Sequence, residues 1–313
     1  MQKWEYLKEG DLIDVIAPSS GAKVNLEEIK SFIESLGFRA RINEDVFSSK
    51  GDPFHANDDA SRFSQLRDAL YAKDSKAIWC IRGGYGSSKL IDNLAKLEEI
   101  PIAKPIIGFS DITALHIFFN QNLKWASLHA KVLTQFLGSN YDADSAKEIK
   151  DLLTGKTAQV EYNLKPMNFK AAIPGIIEDS MIVGGNLCLV ENSIGTIWEI
   201  EMQGKILFLE ETGENAYRID RMLEHLKQAN MFDGVRAVIL GDFWLYENED
   251  QALMDYTLDY FAANSDFPVF KCEGFGHGKV NQPLPFGSET SIIVGENAHL
   301  VALSGGCAEA EVG

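Results

Sequence analysis

A serine stands at a corner where an apolar run becomes a helix-like run. Residues 106–115 read IIGFSDITAL, with Ser110 between the two parts. A strand-to-helix corner can project a short side chain out of a sheet, and the amide of Asp111 would point into the same space, because the first amides of a helix lack intrahelical partners. The stretch lacks the final glycine of the G-x-S-x-G hydrolase motif, and serine is also a good helix N-cap. Taken alone, it favours a cap over a nucleophile.

A serine nucleophile needs a base, and His277 is the best candidate among the six histidines. It lies between two glycines in GFGHGKVNQPLPFG, after a strand-like run. A histidine in such a place is a poor core residue and a plausible base carried on a loop. An ordinary loop histidine fits the pattern equally well. His129, which ends the strand-like run KWASLH, is the second candidate base.

A base of this kind needs an orienting carboxylate. The segment KILFLEETGE ends an apolar run in Glu210 and Glu211. Glu210 adjoins the apolar residues directly, where an unpaired carboxylate is costly, and this is the environment expected of the acid in a catalytic triad. A strand that ends in solvent would also carry glutamates, so that alternative stays open.

A glycine-rich segment, RGGYGSS, follows another strand-like run. Its residues Gly83, Gly84 and Gly86 would let backbone amides approach a ligand closely, as a phosphate cradle or as part of an oxyanion hole. The spacing is neither G-x-G-x-x-G nor a Walker sequence, which disfavours a nucleotide site. A tight turn is the equally compatible alternative.

The order of strand-like and helix-like runs predicts the fold that must position these residues. The first half alternates the two, which favours a parallel sheet flanked by helices, with sites at the carboxyl ends of its strands. We predict an α/β protein with a Rossmann-like, parallel-sheet N-terminal domain at residues 1–153 and a connection at 154–180. A C-terminal mixed α/β (α+β) domain follows at 181–313.

The composition limits the classes of partner that this protein is expected to have. The chain has 46 acidic against 29 basic residues, a net charge of −17, which disfavours nucleic acid as a partner. Neither a signal peptide nor a membrane span is expected, so the sequence predicts a cytoplasmic protein with no membrane partner. The four scattered cysteines form no C-x-x-C pair and are expected to be free thiols, which makes a cysteine-ligated metal site unexpected.

Seven segments together resemble the LD-carboxypeptidase family of serine peptidases, in the family's order and over nearly the whole chain. They are IAPSS, IRGGYGSSKLID, IIGFSDITAL, GGNLCLVENSIGT, ILFLEETGENAYRIDRMLEHL, VILGDF and GFGHGKVNQPLPFG. The resemblance implies a triad of Ser110 as nucleophile, His277 as base and Glu210 as orienting acid. It also implies an oxyanion hole made by the amides of Gly84 and Asp111, a homodimer, and no need for a metal or cofactor.

The family's usual substrate is a small peptide, the cytoplasmic murein tetrapeptide, from which a terminal D-alanine is released. We expect Arg82, beside the glycine loop, to bind the terminal carboxylate. One departure stands at Ala130 and Lys131, where relatives often have Gly-Pro, and it leaves the shape of the substrate pocket open. The alternatives are a related branch that hydrolyses a peptidyl-adenylate antibiotic, as in microcin C immunity, and a non-enzymatic small-molecule binding protein.

Overall fold

The chain alternates strands and helices in its first half and is rich in strands in its second half. The structure, a computed structural model, describes residues 1–48, 52–138, 142–245 and 250–308. The helices there are α1 (Leu26–Ser35), α2 (Asp59–Tyr71), α3 (Ile91–Leu94), α4 (Thr113–Phe118), α5 (Ala143–Leu153), α6 (Leu187–Asn192), α7 (Ala216–Gln228) and α8 (Gln251–Ala263). The strands there are β1 (Trp4–Glu5), β2 (Leu12–Ile16), β3 (Arg39–Ile42), β4 (Ser75–Cys80), β5 (Ile106–Gly108), β6 (Ser127–His129), β7 (Gln159–Pro166), β8 (Gly175–Asn186), β9 (Ile206–Thr212), β10 (Ala237–Trp244), β11 (Val269–Lys271), β12 (Leu284–Phe286), β13 (Glu289–Val294), β14 (Ala298–Leu303) and β15 (Gly306–Cys307).

Five helices begin after an asparagine or aspartate whose side-chain oxygen accepts a first-turn amide. These N-caps are Asn25, Asp58, Asp142, Asn186 and Asp250, which precede α1, α2, α5, α6 and α8. Such a cap stabilises a helix by about 1 kcal/mol and fixes where the helix starts.

None of the helices in the described ranges is long and apolar enough to cross a membrane.

The N-terminal half is built on one sheet. Its strands β3, β2, β4, β5 and β6 run parallel in that order, which confirms the predicted parallel sheet. A sixth strand, β12, comes from late in the chain and pairs antiparallel with β6, with Leu284 opposite His129. The second half of the chain therefore extends the sheet of the first half.

The C-terminal half is built on a closed barrel. Strands β10, β11, β7, β14, β13, β8 and β9 pair in that order and close on themselves. Three pairs are parallel, namely β8 with β9, β9 with β10 and β10 with β11. The other pairs of the barrel are antiparallel. This mixed sheet confirms the predicted fold class. Residues 154–180, predicted to be a connection, contain β7 and the first part of β8, while the predicted domain bounds stay a prediction.

One apolar cluster is shared by the two halves. Ile112 and Leu115 from the segment after Ser110 belong to the same cluster as Leu187 and Leu207 from the barrel half, and all four are fully buried. Burying a side chain of this size contributes roughly 1.5–3 kcal/mol. The shared core therefore holds the serine corner against the barrel.

Gly184 in β8 is required by close backbone packing. Its φ is +127°, and a Cβ there would lie 2.0 Å from the carbonyl oxygen of Phe208. We expect Gly184→Ala to lower the free energy of unfolding by roughly 2–5 kcal/mol and Tm by roughly 5 °C or more. Gly175→Ala in the same strand is the control, because a Cβ added there would have no atom within 4 Å. Equal Tm values for the two variants in a thermal melt would contradict this packing.

Candidate active site

The imidazole of His277 joins the two halves of the chain. Its Nε2 lies 3.0 Å from Ser110 Oγ, and its Nδ1 lies 2.8 Å from Glu210 Oε2. Ser110 follows β5 of the parallel sheet, Glu210 belongs to β9 of the barrel, and His277 lies in the loop between β11 and β12. The three residues singled out in the sequence therefore form one hydrogen-bonded chain.

Ser110 occupies a tight corner and does not cap a helix. Its φ is +63°, a left-handed conformation that costs about 1 kcal/mol or more for a residue other than glycine. It opens a 3-10 turn that runs to Ile112, and Phe109 stands at the cap position without a side-chain cap bond. The helix-cap interpretation is therefore wrong, because Ser110 Oγ is directed to the imidazole instead.

Two glycines make room for this corner. A Cβ on Gly83 would lie 2.9 Å from Ser110 Cβ and 3.2 Å from its Oγ. A Cβ on Gly108 would lie 2.9 Å from Ile112 Cγ1. The serine corner is consequently enclosed by the glycine loop on one side and by its own helix on the other.

The two residues predicted to supply the oxyanion-hole amides adjoin the serine corner in sequence: Gly84 follows Gly83, whose added Cβ would meet Ser110, and Asp111 follows Ser110 directly. Gly84 has φ +103°, and a Cβ there would meet Ser20 Oγ at 2.4 Å, so the loop backbone runs tightly over Ser20. The carboxylate of the next candidate, Asp111, is buried and accepts hydrogen bonds from Ser19 Oγ and the Ser87 amide. These bonds fix the side chain of Asp111, and the oxyanion-hole role of the two backbone amides stays a prediction.

Glu210 is fully buried, and the imidazole of His277 is its partner in this apolar place. A Cβ on Gly276, whose φ is +131°, would lie 2.8 Å from Glu210 Oε2, so this approach of the loop requires glycine. Burial lowers the pKa of His277, but the charge of Glu210 and its hydrogen bond outweigh burial, and the net pKa is raised above 6.5. The proton affinity of the His277 ring is thus higher than that of an ordinary histidine, as a general base requires.

Glu211 has a different role from its neighbour, because successive strand residues face opposite sides. Its Oε1 accepts hydrogen bonds from Asn186 Nδ2 and the Thr212 amide, and its Oε2 accepts one from the Cys188 amide, each at 2.8 Å. Burial and the charge of Glu210 raise the pKa of Glu211 to about 7. Glu211 therefore fixes the corner between β8 and α6.

The corner at Asn186 also contacts the serine helix. The Asn186 amide donates to Thr113 Oγ1 at 2.9 Å, and a Cβ on Gly185 would lie 2.3 Å from the same oxygen. Sequence reasoning did not identify Asn186 as part of the site. The available signal was the segment GGN at the end of an apolar run.

Asp242 shapes the loop that carries His277, and it too was missed in the sequence. Its Oδ1 accepts the Gly274 amide at 3.2 Å, and its own amide donates to the carbonyl of Phe275 at 2.7 Å. Asn281 Oδ1 accepts the Gly276 amide at 3.0 Å. The signal was the segment VILGDF, in which an acidic residue interrupts an apolar run.

His129, the second candidate base, is not brought to Ser110. It is fully buried in β6 against the rings of Phe109, Phe208 and Phe286, and neither ring nitrogen has a hydrogen-bond partner in the described part of the chain. Burial lowers the pKa of His129 well below 6.5, which keeps the ring neutral. Its neighbour Phe109 lies 4.7 Å from the His277 ring, centroid to centroid. His129 thus packs behind the site.

The remaining sequence candidates lie around the same place. Arg82 is exposed next to the glycine loop, and its Nη1 donates to the carbonyl of Gly21 at 2.7 Å. Ala130 and Lys131 are both buried, and the Ala130 amide donates to the carbonyl of Gly108 at 3.0 Å. The departure from the family pattern therefore lies directly beside the end of β5, two residues before Ser110.

Comparison with known proteins gives consistent matches. A family model described as the LD-carboxypeptidase N-terminal domain matches residues 13–130, and one for the C-terminal domain matches residues 179–292. A Rickettsia conorii protein named as a carboxypeptidase is 38% identical over 92% of this chain and 90% of its own length. A Bacillus subtilis protein named as a murein peptide carboxypeptidase is 26% identical over 94% of this chain and 92% of its own length.

Solved structures share the fold. The muramoyltetrapeptide carboxypeptidase from Oxalobacter formigenes superposes with a TM-score of 0.79 at 22% identity, covering 96% of this chain and 100% of that chain. The protein MccF in complex with glutamyl sulfamoyl guanosine superposes with a TM-score of 0.77 at 20% identity, covering 96% of this chain and 98% of that chain. Both likenesses concern the arrangement of the backbone.

The raised pKa of His277 depends on Glu210, and this dependence can be measured. We expect the ring resonances of His277 in NMR to titrate with a pKa above 6.5 in the unmodified protein. In Glu210→Gln the pKa of His277 should fall, because burial is then opposed only by the charge of Glu211, the smallest of the contributions that raise this pKa. The charged ring stabilises the fold below its unfolded pKa of about 6.5, and this contribution is lost as pH rises through the raised folded pKa. A His277 pKa that is equal in both proteins would contradict this coupling.

Proposed function

Because the chain belongs to the LD-carboxypeptidase family of serine peptidases, we propose that it is a serine carboxypeptidase acting on an L,D peptide bond. The substrate we propose is the murein tetrapeptide, from which the enzyme releases the terminal D-alanine. The observation that carries this proposal is the imidazole of His277 hydrogen-bonded to Ser110 and Glu210 at once.

The geometry supports a mechanism through an acyl-enzyme. His277 Nε2 takes the proton of Ser110 Oγ as that oxygen attacks the carbonyl carbon of the scissile bond. The amides of Gly84 and Asp111 stabilise the oxyanion, and the imidazolium then gives its proton to the amine of the leaving D-amino acid. Water, deprotonated by His277, hydrolyses the ester and restores the serine. Glu210 holds the ring in the required tautomer and stabilises its positive charge.

The names of relatives support a murein peptide as substrate, since the Bacillus subtilis relative is named for it. Arg82 is our candidate for the terminal carboxylate, because it is an exposed cation next to the glycine loop. The proposal includes a cytoplasmic reaction and a homodimer, both of which are implied by the family resemblance. No step requires a cofactor or a metal.

A second hydrolase function rests on one observation. The backbone follows that of MccF, a microcin C7 self immunity protein solved with glutamyl sulfamoyl guanosine. Hydrolysis of a peptidyl-adenylate could use the same serine, histidine and glutamate, because the reaction is again an acyl transfer. A non-enzymatic binding protein is disfavoured, since simple binding does not require a strained serine hydrogen-bonded to a histidine–glutamate pair.

Removing the nucleophile or the base should abolish turnover. We expect Ser110→Ala and His277→Ala to lower kcat for D-alanine release by roughly 10³–10⁶-fold. His225→Ala is the matched control, because His225 forms a similar pair with Glu191 on the surface (Nδ1 to Oε1, 2.6 Å). This variant should keep a near-normal kcat. Near-normal kcat in Ser110→Ala, measured by mass spectrometry of released D-alanine, would rule out the proposed nucleophile.

The two hydrolase functions can be separated with one protein preparation. Turnover of a tetrapeptide that ends in D-alanine is compared with turnover of a peptidyl-adenylate analogue at equal concentrations. We expect a higher kcat/KM for the tetrapeptide. A higher kcat/KM for the adenylate analogue would transfer the assignment to the second function.

A further inference from the structure

Lys131 is a buried cation close to the site. Its side chain is 5% exposed and lies in the segment that follows β6. Nζ lies 2.6 Å from Asp142 Oδ2 and donates to the carbonyl oxygen of Lys279 at 3.1 Å. The backbone carbonyl of Lys131 accepts a hydrogen bond from Trp79 Nε1 at 3.0 Å. Both ends of the residue are therefore fixed.

Asp142 is itself held in place. It caps α5, with Oδ1 accepting the Ser145 amide at 3.1 Å and Oδ2 accepting the Ser145 hydroxyl at 2.8 Å. Burial raises its pKa, but the bonds from Lys131 and Ser145 outweigh burial and lower the pKa to about 2. A buried ammonium needs such a partner, because an unpaired charge in the protein interior strongly destabilises the fold. The ion pair thus supplies a rigid N–H donor from the N-terminal half.

The acceptor of that donor belongs to the loop that carries the base. Lys279 stands two residues after His277, and the loop has left-handed glycines at Gly274 (φ +85°) and Gly276 (φ +131°). Asp242 ties the early part of this loop to the barrel. The bond from Lys131 ties its later part to the N-terminal half, independently of the contact between His277 and Ser110.

We propose that Lys131 is a positioning residue, whose bond to the Lys279 carbonyl sets how closely His277 Nε2 approaches Ser110 Oγ. The inference rests on the proposed function, since it concerns the efficiency of the same serine and histidine. The ammonium touches neither reacting atom, so its effect on the rate passes through the loop. A misplacement of about 1 Å can lower a rate by roughly 100-fold.

The test compares Lys131→Met with Lys147→Met. Lys147 forms a similar ion pair with Asp151 on α5, 2.5 Å between Nζ and Oδ2, but it is exposed, and among the described residues no hydrogen bond or ion pair joins it to the loop. We expect Lys131→Met to lower kcat for D-alanine release by roughly 10–100-fold with KM within about twofold, because substrate contacts are retained. Lys147→Met should keep both values, and Lys131→Arg should recover part of kcat.

The rate at which a fluorophosphonate labels Ser110 gives a second readout that needs no peptide. It should fall in Lys131→Met and stay unchanged in Lys147→Met. Unchanged kcat and labelling in a folded Lys131→Met would overturn the inference. If that variant does not fold, Lys131→Gln, which is polar but one bond shorter, should show the same fall in kcat, and wild-type kcat there would overturn it. An unmodified protein that is neither labelled nor active would instead refute the proposed function.

Discussion

The two hydrogen bonds of one imidazole constrain the whole molecule. His277 must meet an oxygen from the parallel sheet and an oxygen from the barrel at the same time, at 3.0 and 2.8 Å. Errors of about 1 Å between the two halves would break one of these bonds. Two features hold the halves in this relative position. They are the apolar cluster shared by both halves and the pairing of β12 with β6.

The same contact explains how the barrel tolerates a buried carboxylate. Glu210 is fully buried, and its second oxygen, Oε1, has no hydrogen-bond partner within the described ranges. Isolating a carboxylate in this way destabilises the fold unless a cation or donor compensates. The His277 ring is that partner, and the raised pKa of the ring is the other side of the same interaction. Stability and proton affinity are therefore linked at this pair.

Much of the fold and of the candidate site could be predicted from the sequence, because local residue patterns report local structure. The alternation of elements gave the parallel sheet, and family resemblance selected Ser110, Glu210 and His277, which local patterns had left ambiguous. Sequence could not predict that β12 joins the first sheet, since strand pairing over more than 150 residues leaves no local signal. The role of Lys131 was equally hidden, because its partners are distant in sequence and one is a backbone carbonyl.

In the proposed mechanism, Ser110 is activated across the boundary between the two halves and forms a covalent acyl-enzyme. Rapid acid quench of the protein during turnover of a murein tetrapeptide, followed by mass spectrometry of its proteolytic fragments, detects such an intermediate. We expect a fragment containing Ser110 whose mass is increased by the acyl portion of the tripeptide product. Steady turnover in which the adduct forms on another residue would contradict it.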